Sequence, residues 1–153
     1  MKTTAKEQTY TAKQSITIAA PRSKVWEALT KPELVKQYFF GTNMEADWKK
    51  GGKIRFTGEW EGKAYEDKGT IIEIENEKLL KYNYYSSFSG KPDAPENYHI
   101  VTYRLVDMGG NTEFLVEQDG LETEDAARHT EQNWAGIMES LRKLLEKGKK
   151  GAV

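Results

Sequence analysis

The chain has 153 residues, 37% of them hydrophobic and 31% charged, which is enough for one domain whose core needs no disulfide or metal staple. Its 23 basic and 24 acidic residues nearly cancel, so no broad cationic footprint for nucleic acid or an anionic membrane is expected. Without cysteine there is no disulfide, thiol catalysis or thiolate metal site. No apolar run reaches the roughly 18 residues of a membrane span, and the opening MKTTAKEQTY lacks the apolar region of a secretory signal. A soluble cytoplasmic protein is the expectation.

Residues 1–7 are polar and expected to fray. In 8–20, Ile16 and Ile18 alternate with polar neighbours, which predicts a strand. Pro21 suits a first helical turn, and Val25, Ala28 and Leu29 form one apolar stripe. Thr30 and Glu33 have capping-box spacing, with Pro32 between them, so a second short helix is expected to start there. Strands and turns then alternate, with turn signals at Gly51-Gly52 and Glu61-Gly62.

In 53–60, Ile54, Phe56, Gly58 and Trp60 share one face, and Lys53, Arg55, Thr57 and Glu59 the other. Residues 63–75 change phase. Tyr65, Asp67, Gly69 and Ile71 agree in parity, whereas Ile72 and Ile74 agree with each other, so a bulge near Gly69 is expected. Leu80, Tyr82 and Tyr84 share a face in the next strand. Residues 86–98 hold Pro92, Pro95 and Gly90 and read as a loop. Val101, Tyr103 and Leu105 alternate, as do Phe114 and Val116, with DMGGNT as the hairpin turn between them. From about Glu122 to Lys147 one long amphipathic helix is predicted, with Trp134, Ile137, Met138, Leu141, Leu144 and Leu145 on a single stripe. His129 precedes Trp134 by five residues, an offset of about 140° on a helix, so it lies at the flank with Asn133.

The expected architecture is α+β. A curved antiparallel sheet of about six to seven strands follows the first strand's two short helices, and the long C-terminal helix packs over its concave face with a cavity between. One domain over 8–147 is expected, with 1–7 and 148–153 flexible.

Several phrases carry a family resemblance. VWEALTKPELVKQYF at 25–39, GGKIRF at 51–56 and DKGTIIEIENEKLLKYNY at 67–84 are followed by VTYRLVDMGGNTEFLVEQDGL at 101–121 and NWAGIMESLRKLLE in the last helix. In order and spacing they resemble the START-like (SRPBCC, helix-grip) superfamily, in particular the branch related to activators of the 90-kDa heat-shock protein ATPase. Gln118 stands where that branch commonly has histidine, and Asn133 where it has glycine. The resemblance implies the helix-grip fold. It also implies, without choosing among them, lipid or hormone carriers, cyclases and co-chaperones, and a bacterial source.

The inward-facing aromatics Phe56, Trp60, Tyr82, Tyr84, Tyr103 and Phe114, with Trp134 and Met138 from the helix, are either ordinary core or the wall of a ligand cavity. Their richness in Tyr and Trp, which need hydrogen-bond partners when buried, speaks for the cavity. Tyr65 and Asp67 add polar groups on a neighbouring strand, and His99 shares the inward parity at the cavity's mouth. The two histidines, His99 and His129, make no metal-ligand pattern, and there is no phosphate loop or nucleophile elbow. No cofactor or metal is expected.

Three functions follow. The first is binding of a hydrophobic, aromatic or lipid-like small molecule in the cavity. The second is a chaperone-associated or stress-response partner module, implied only by the resemblance. The third is a cyclase-type enzyme, for which His99, Asp67 and Tyr65 are the available acid–base groups. A monomer is expected.

Overall fold

The computed structural model describes residues 9–39, 41–87 and 90–151, except the side chains of Trp60 and 147–151. Residues 1–7, expected to fray, lie outside the described residues. The order is β1 (Tyr10–Ile18), α1 (Arg22–Thr30), α2 (Pro32–Tyr38), β2 (Asn43–Ala46), β3 (Lys53–Trp60), β4 (Lys63–Glu75), β5 (Leu79–Tyr84), β6 (His99–Asp107), β7 (Thr112–Leu121) and α3 (Glu124–Gly151). The strands form one seven-stranded antiparallel sheet in the order β1-β7-β6-β5-β4-β3-β2. Only β1 leaves sequence order, crossing over to pair with β7. This is the expected α+β arrangement.

The period-2 patterns place Ile18, Ile54, Phe56, Leu80, Tyr82, Val101, Tyr103, Phe114 and Val116 inside. The stripe of α3 joins them through Trp134, Ile137, Met138 and Leu141, all buried, while His129 is exposed. Thr123 caps α3 by accepting the Ala126 N–H at 3.0 Å, and Glu124 and Asp125 sit at the positive end of its dipole. α3 also shields the open edge of the sheet. The Lys13 N–H of β1 donates to the Glu131 carboxylate at 2.9 Å and the Ala19 N–H to Glu146 at 2.8 Å, so outward-facing edge donors are satisfied by helix side chains rather than left for another chain.

One local expectation is corrected and another is given its position. The second short helix begins after Lys31 without a side-chain cap. Thr30 instead donates its hydroxyl to the Trp26 carbonyl at 2.9 Å, because α1 runs through Thr30 and puts that oxygen over its own preceding turn. Pro32 does occupy the first turn of α2. The bulge expected near Gly69 is present in β4 and lies between Ile71 and Glu73. Parity therefore holds from Tyr65 through Ile71, and both Asp67 and Gly69 are buried on the inner face. Glycine at 69 answers a different need, the approach of β5: a Cβ there would lie 1.7 Å from the Asn83 carbonyl oxygen.

Thr112, fully buried, donates its hydroxyl to the Ala20 carbonyl at 2.8 Å and so ties β7 to the turn before α1. Thr112→Val keeps the shape and removes that bond. A loss of about 1–2 kcal/mol is expected, read as a lower denaturant midpoint with an unchanged slope. An unchanged midpoint would refute this role.

Candidate functional site

The inner face of the sheet carries a chain of rings. Phe56 on β3 meets Tyr82 on β5 at a centroid distance of 6.0 Å, and Tyr82 meets Tyr103 on β6 edge-on at 5.6 Å. Tyr103 in turn packs edge-on against Phe114 at 5.4 Å and against Trp134 of α3 at 5.7 Å. Tyr84 stands edge-on to Phe56 at 6.0 Å. Strand alternation and register are what gather these residues, since Leu80 pairs with Tyr103 and Leu105 with Phe114.

Of the ten residues singled out from the sequence, Phe56, Tyr82, Tyr84, Tyr103, Phe114 and Trp134 are joined in this way, and Met138 lies buried in the same cluster. Trp60 lies outside the described side chains. Tyr65 sits farther along the inner face, half-buried, with its hydroxyl 2.5 Å from Thr42 Oγ1. His99 keeps the inward parity, opposite Tyr84. Its ring, however, is taken up by β7: Nδ1 is 2.8 Å from the Asp119 carbonyl, beside Gly120, whose φ is +77°.

Phe39, one residue past α2, belongs to the site although strand periodicity gave no sign of it. Its ring stacks on Phe56 at 6.1 Å and meets Trp134 edge-on at 5.9 Å. It plugs the gap between the sheet and α3. Gln118, where the resembling branch commonly has histidine, accepts the indole N–H of Trp134 at 3.0 Å. The departure thus sets how Trp134 is held.

At the centre, the hydroxyls of Tyr82 and Tyr103 are 3.0 Å apart. A pair of hydroxyls makes one hydrogen bond with one hydrogen, so the pair keeps a second hydrogen for which no acceptor exists among the described residues. Burial raises both phenols, Tyr82 well above its ordinary value and Tyr103 to about 12. Tyr38, also raised by burial, donates to the Ala28 carbonyl at 2.9 Å. All three are uncharged donors at neutral pH.

The space these groups enclose is small. A void of about 10 Å³ lies among Leu29, Val35, Phe39, Phe56, Tyr82 and Tyr103, close to the least that holds one water. The expected cavity is therefore nearly filled by side chains. A larger concavity, about 230 Å³, opens on the opposite face of the sheet between Lys13, Thr102, Arg104, Leu115 and Glu117. It is a shallow surface groove on the far side of the sheet from the aromatic chain.

At the other end of the inner face, Asp67 accepts the Tyr84 hydroxyl at 2.6 Å and both the N–H and hydroxyl of Ser87, at 2.9 and 3.1 Å. Burial first, and the nearby Asp67 carboxylate second, push the Tyr84 phenol well up. Among the described residues no group of three or more His, Cys, Asp or Glu side chains could hold a metal, and no helix is long and apolar enough to cross a membrane.

The sequence profile described as Activator of Hsp90 ATPase homolog 1-like protein matches residues 19–146. Among solved structures, the solution structure of ChR145 from Cytophaga hutchinsonii is 46% identical, covers 92% of this chain and 97% of its own, and superposes with a TM-score of 0.81. The crystal structure of MLL2253 from Mesorhizobium loti is 22% identical over 90% of this chain and 98% of its own, with a TM-score of 0.73. The solution structure of the Aha1 dimer from Colwellia psychrerythraea is 20% identical over 92% and 98%, with a TM-score of 0.71. The latter two share the fold. None of the curated proteins matches the chain.

Proposed function

This chain belongs to the Activator of Hsp90 ATPase homolog 1-like family, and we propose that it binds a hydrophobic, aromatic or lipid-like small molecule in the chamber between the sheet and α3. The observation that carries this reading is the Tyr82–Tyr103 pair, two hydroxyls facing each other in an aromatic chamber with one hydrogen to spare. Leucine or phenylalanine would fill the same space without burying a surplus donor, which costs about 1–3 kcal/mol when unmatched. A ligand oxygen placed beside the pair would accept that hydrogen, while the rings supply apolar contact at roughly 25 cal/mol per Å² buried.

A void of about 10 Å³ admits no drug-sized molecule, so binding requires an opening. Phe39 is the element placed to open, because it lies between α2 and β2 rather than within either and touches both walls. The ligand would replace the Phe39 ring against Phe56 and Trp134.

The test is an amide and indole NMR titration with flat aromatic ketones and their parent hydrocarbons. Shifts are expected at Phe39, Phe56, Tyr103 and the Trp134 indole. Replacing Tyr82 and Tyr103 together by Phe removes both hydroxyls and is expected to weaken the ketones about five- to tenfold, the worth of one hydrogen bond, and to leave the hydrocarbons alone. No shift at millimolar ligand would discard the reading.

The small void also favours a second reading, a module that acts on a chaperone or stress-response partner through its surface. Stimulation of the chaperone's ATPase by the purified protein would support it. No stimulation at saturating protein would end it.

A further inference from the structure

Asp67 is the charged group of the inner face that the chamber's apolar chemistry does not use. It lies opposite Phe56 in the β3–β4 register and is 9% exposed. Its three hydrogen bonds come from neutral donors, the Tyr84 hydroxyl on Oδ2 and the Ser87 N–H and hydroxyl on Oδ1. The neighbouring cations are engaged elsewhere: Lys68 pairs with Asp93, and Arg55 with Glu66 and Glu45. Both stand on the outer face, one residue out of phase with Asp67 and Phe56. Among the described residues no cation comes within ion-pair distance of Asp67.

A carboxylate offers about four acceptor positions; three are occupied here, and Oδ2 keeps one. Aromatic residues share its face of the sheet. Tyr84 donates to it and packs edge-on to Phe56. Tyr65, two residues before it on the same face, lays its ring over Gly58, where a Cβ would come within 2.8 Å of the hydroxyl. A buried carboxylate without a counter-charge is costly, and one with tyrosines beside it on the same face has the make-up of an ammonium site, in which ion pairing and cation–π attraction act together.

We propose that Asp67 anchors a protonated amine, so that the ligand is a cationic amphiphile whose apolar body enters the aromatic chamber while its basic head stops at Asp67, Tyr84 and Tyr65. This rests on the ligand-binding reading above and adds the charge of the ligand's head. Tyr82 and Tyr84 stand on one face of β5 two residues apart, about 7 Å along the strand. The same molecule can therefore present an acceptor to the tyrosine pair and its amine to Asp67.

The test compares three probes of one shape, 2-(2-naphthyl)ethylamine, 2-(2-naphthyl)ethanol and 3-(2-naphthyl)propanoate, by NMR titration of the whole chain at neutral pH. The amine is expected to bind at least about tenfold more tightly than the alcohol, the range of a charge-assisted hydrogen bond, and the carboxylate most weakly. Asp67→Asn should bring amine and alcohol within about twofold of each other and leave the alcohol's affinity unchanged. Tyr84→Phe frees Oδ2 and should keep or widen the amine's advantage, a result that a purely structural Asp67 would not give. Unaltered amide spectra establish that both variants are folded. Equal binding of amine and alcohol to the unmodified protein, or an amine preference that survives Asp67→Asn, would overturn the proposal while leaving the chamber reading intact. Failure of all three probes to bind would remove both.

Discussion

Gly69→Ala is expected to destabilise the protein by more than about 3 kcal/mol, and in a domain of ordinary marginal stability to leave much of it unfolded. The reason is the position of β5. A Cβ on residue 69 would sit 1.7 Å from the Asn83 carbonyl oxygen and 2.7 Å from its carbon, so backbone rather than a mobile side chain must yield. The strands are pinned on both sides of that point. Lys68 and Tyr85 exchange backbone hydrogen bonds at 3.2 and 2.8 Å, and the Thr70 N–H donates to Asn83 Oδ1 at 2.7 Å. Any shift that accommodates the methyl breaks one of these bonds. It also moves β5, which carries both Tyr82 and Tyr84, so a surviving folded fraction should have lost the hydroxyl arrangement as well. Gly62→Ala is the control. Gly62 has φ +81° and open space around its Cβ, so it should cost only about 1–2 kcal/mol of left-handed backbone strain. Urea unfolding of the two variants decides the matter. Equal losses would mean that the close approach at Gly69 is not what demands glycine.

The sequence made the fold legible wherever one face of an element is buried. Ile54 and Phe56, or Val101 and Tyr103, can satisfy alternation in only one register, because a one-residue slip would expose them all. The α3 stripe is equally plain, and it separates Trp134 from His129 by spacing alone. The site was legible only in part, for the same reason. Periodicity finds inward residues but says nothing of how they fill the space they face. Phe39 lies just past a helix and outside any period, yet it packs against both Phe56 and Trp134 and closes the chamber. Likewise, parity could suggest that His99 faces inward but could not show its ring bonded to the Asp119 carbonyl across β6 and β7. The bulge is a third case. Two patterns of opposite phase met somewhere in 63–75, and glycine was the natural place to join them. The chain instead makes the join at Ile72 and spends its glycine on the contact with β5.

Above pH 10 the protein is expected to lose stability steeply, and the tyrosines make this the second large effect. Tyr38, Tyr82 and Tyr103 are buried, and burial raises each phenol above the ordinary value of 10.0, Tyr103 to about 12. The half-buried Tyr84 is raised by burial and by the Asp67 carboxylate beside its hydroxyl. A group whose folded value is raised contributes stability that is complete below its unfolded value and disappears as pH climbs towards the folded one. Between those values the folded chain binds the proton and the unfolded chain does not. For Tyr103 alone the window from 10 to about 12 corresponds to roughly 3 kcal/mol, an order-of-magnitude figure. Tyr38 and Tyr82 are raised by burial in the same direction and add to this loss. Ionisation and unfolding should therefore coincide: tyrosinate absorbance and loss of the near-ultraviolet dichroism are expected to rise in one cooperative step below pH 12. Tyr82→Phe combined with Tyr103→Phe removes two of the titrating groups together with the hydrogen bond between them. It should move that step to higher pH and make it shallower, while the neutral-pH stability is kept or rises, because donor, acceptor and surplus hydrogen leave together. A gradual titration of the buried tyrosines in a chain that stays folded, or a midpoint indifferent to the double replacement, would show that the phenols of the core are not what limits its alkaline stability.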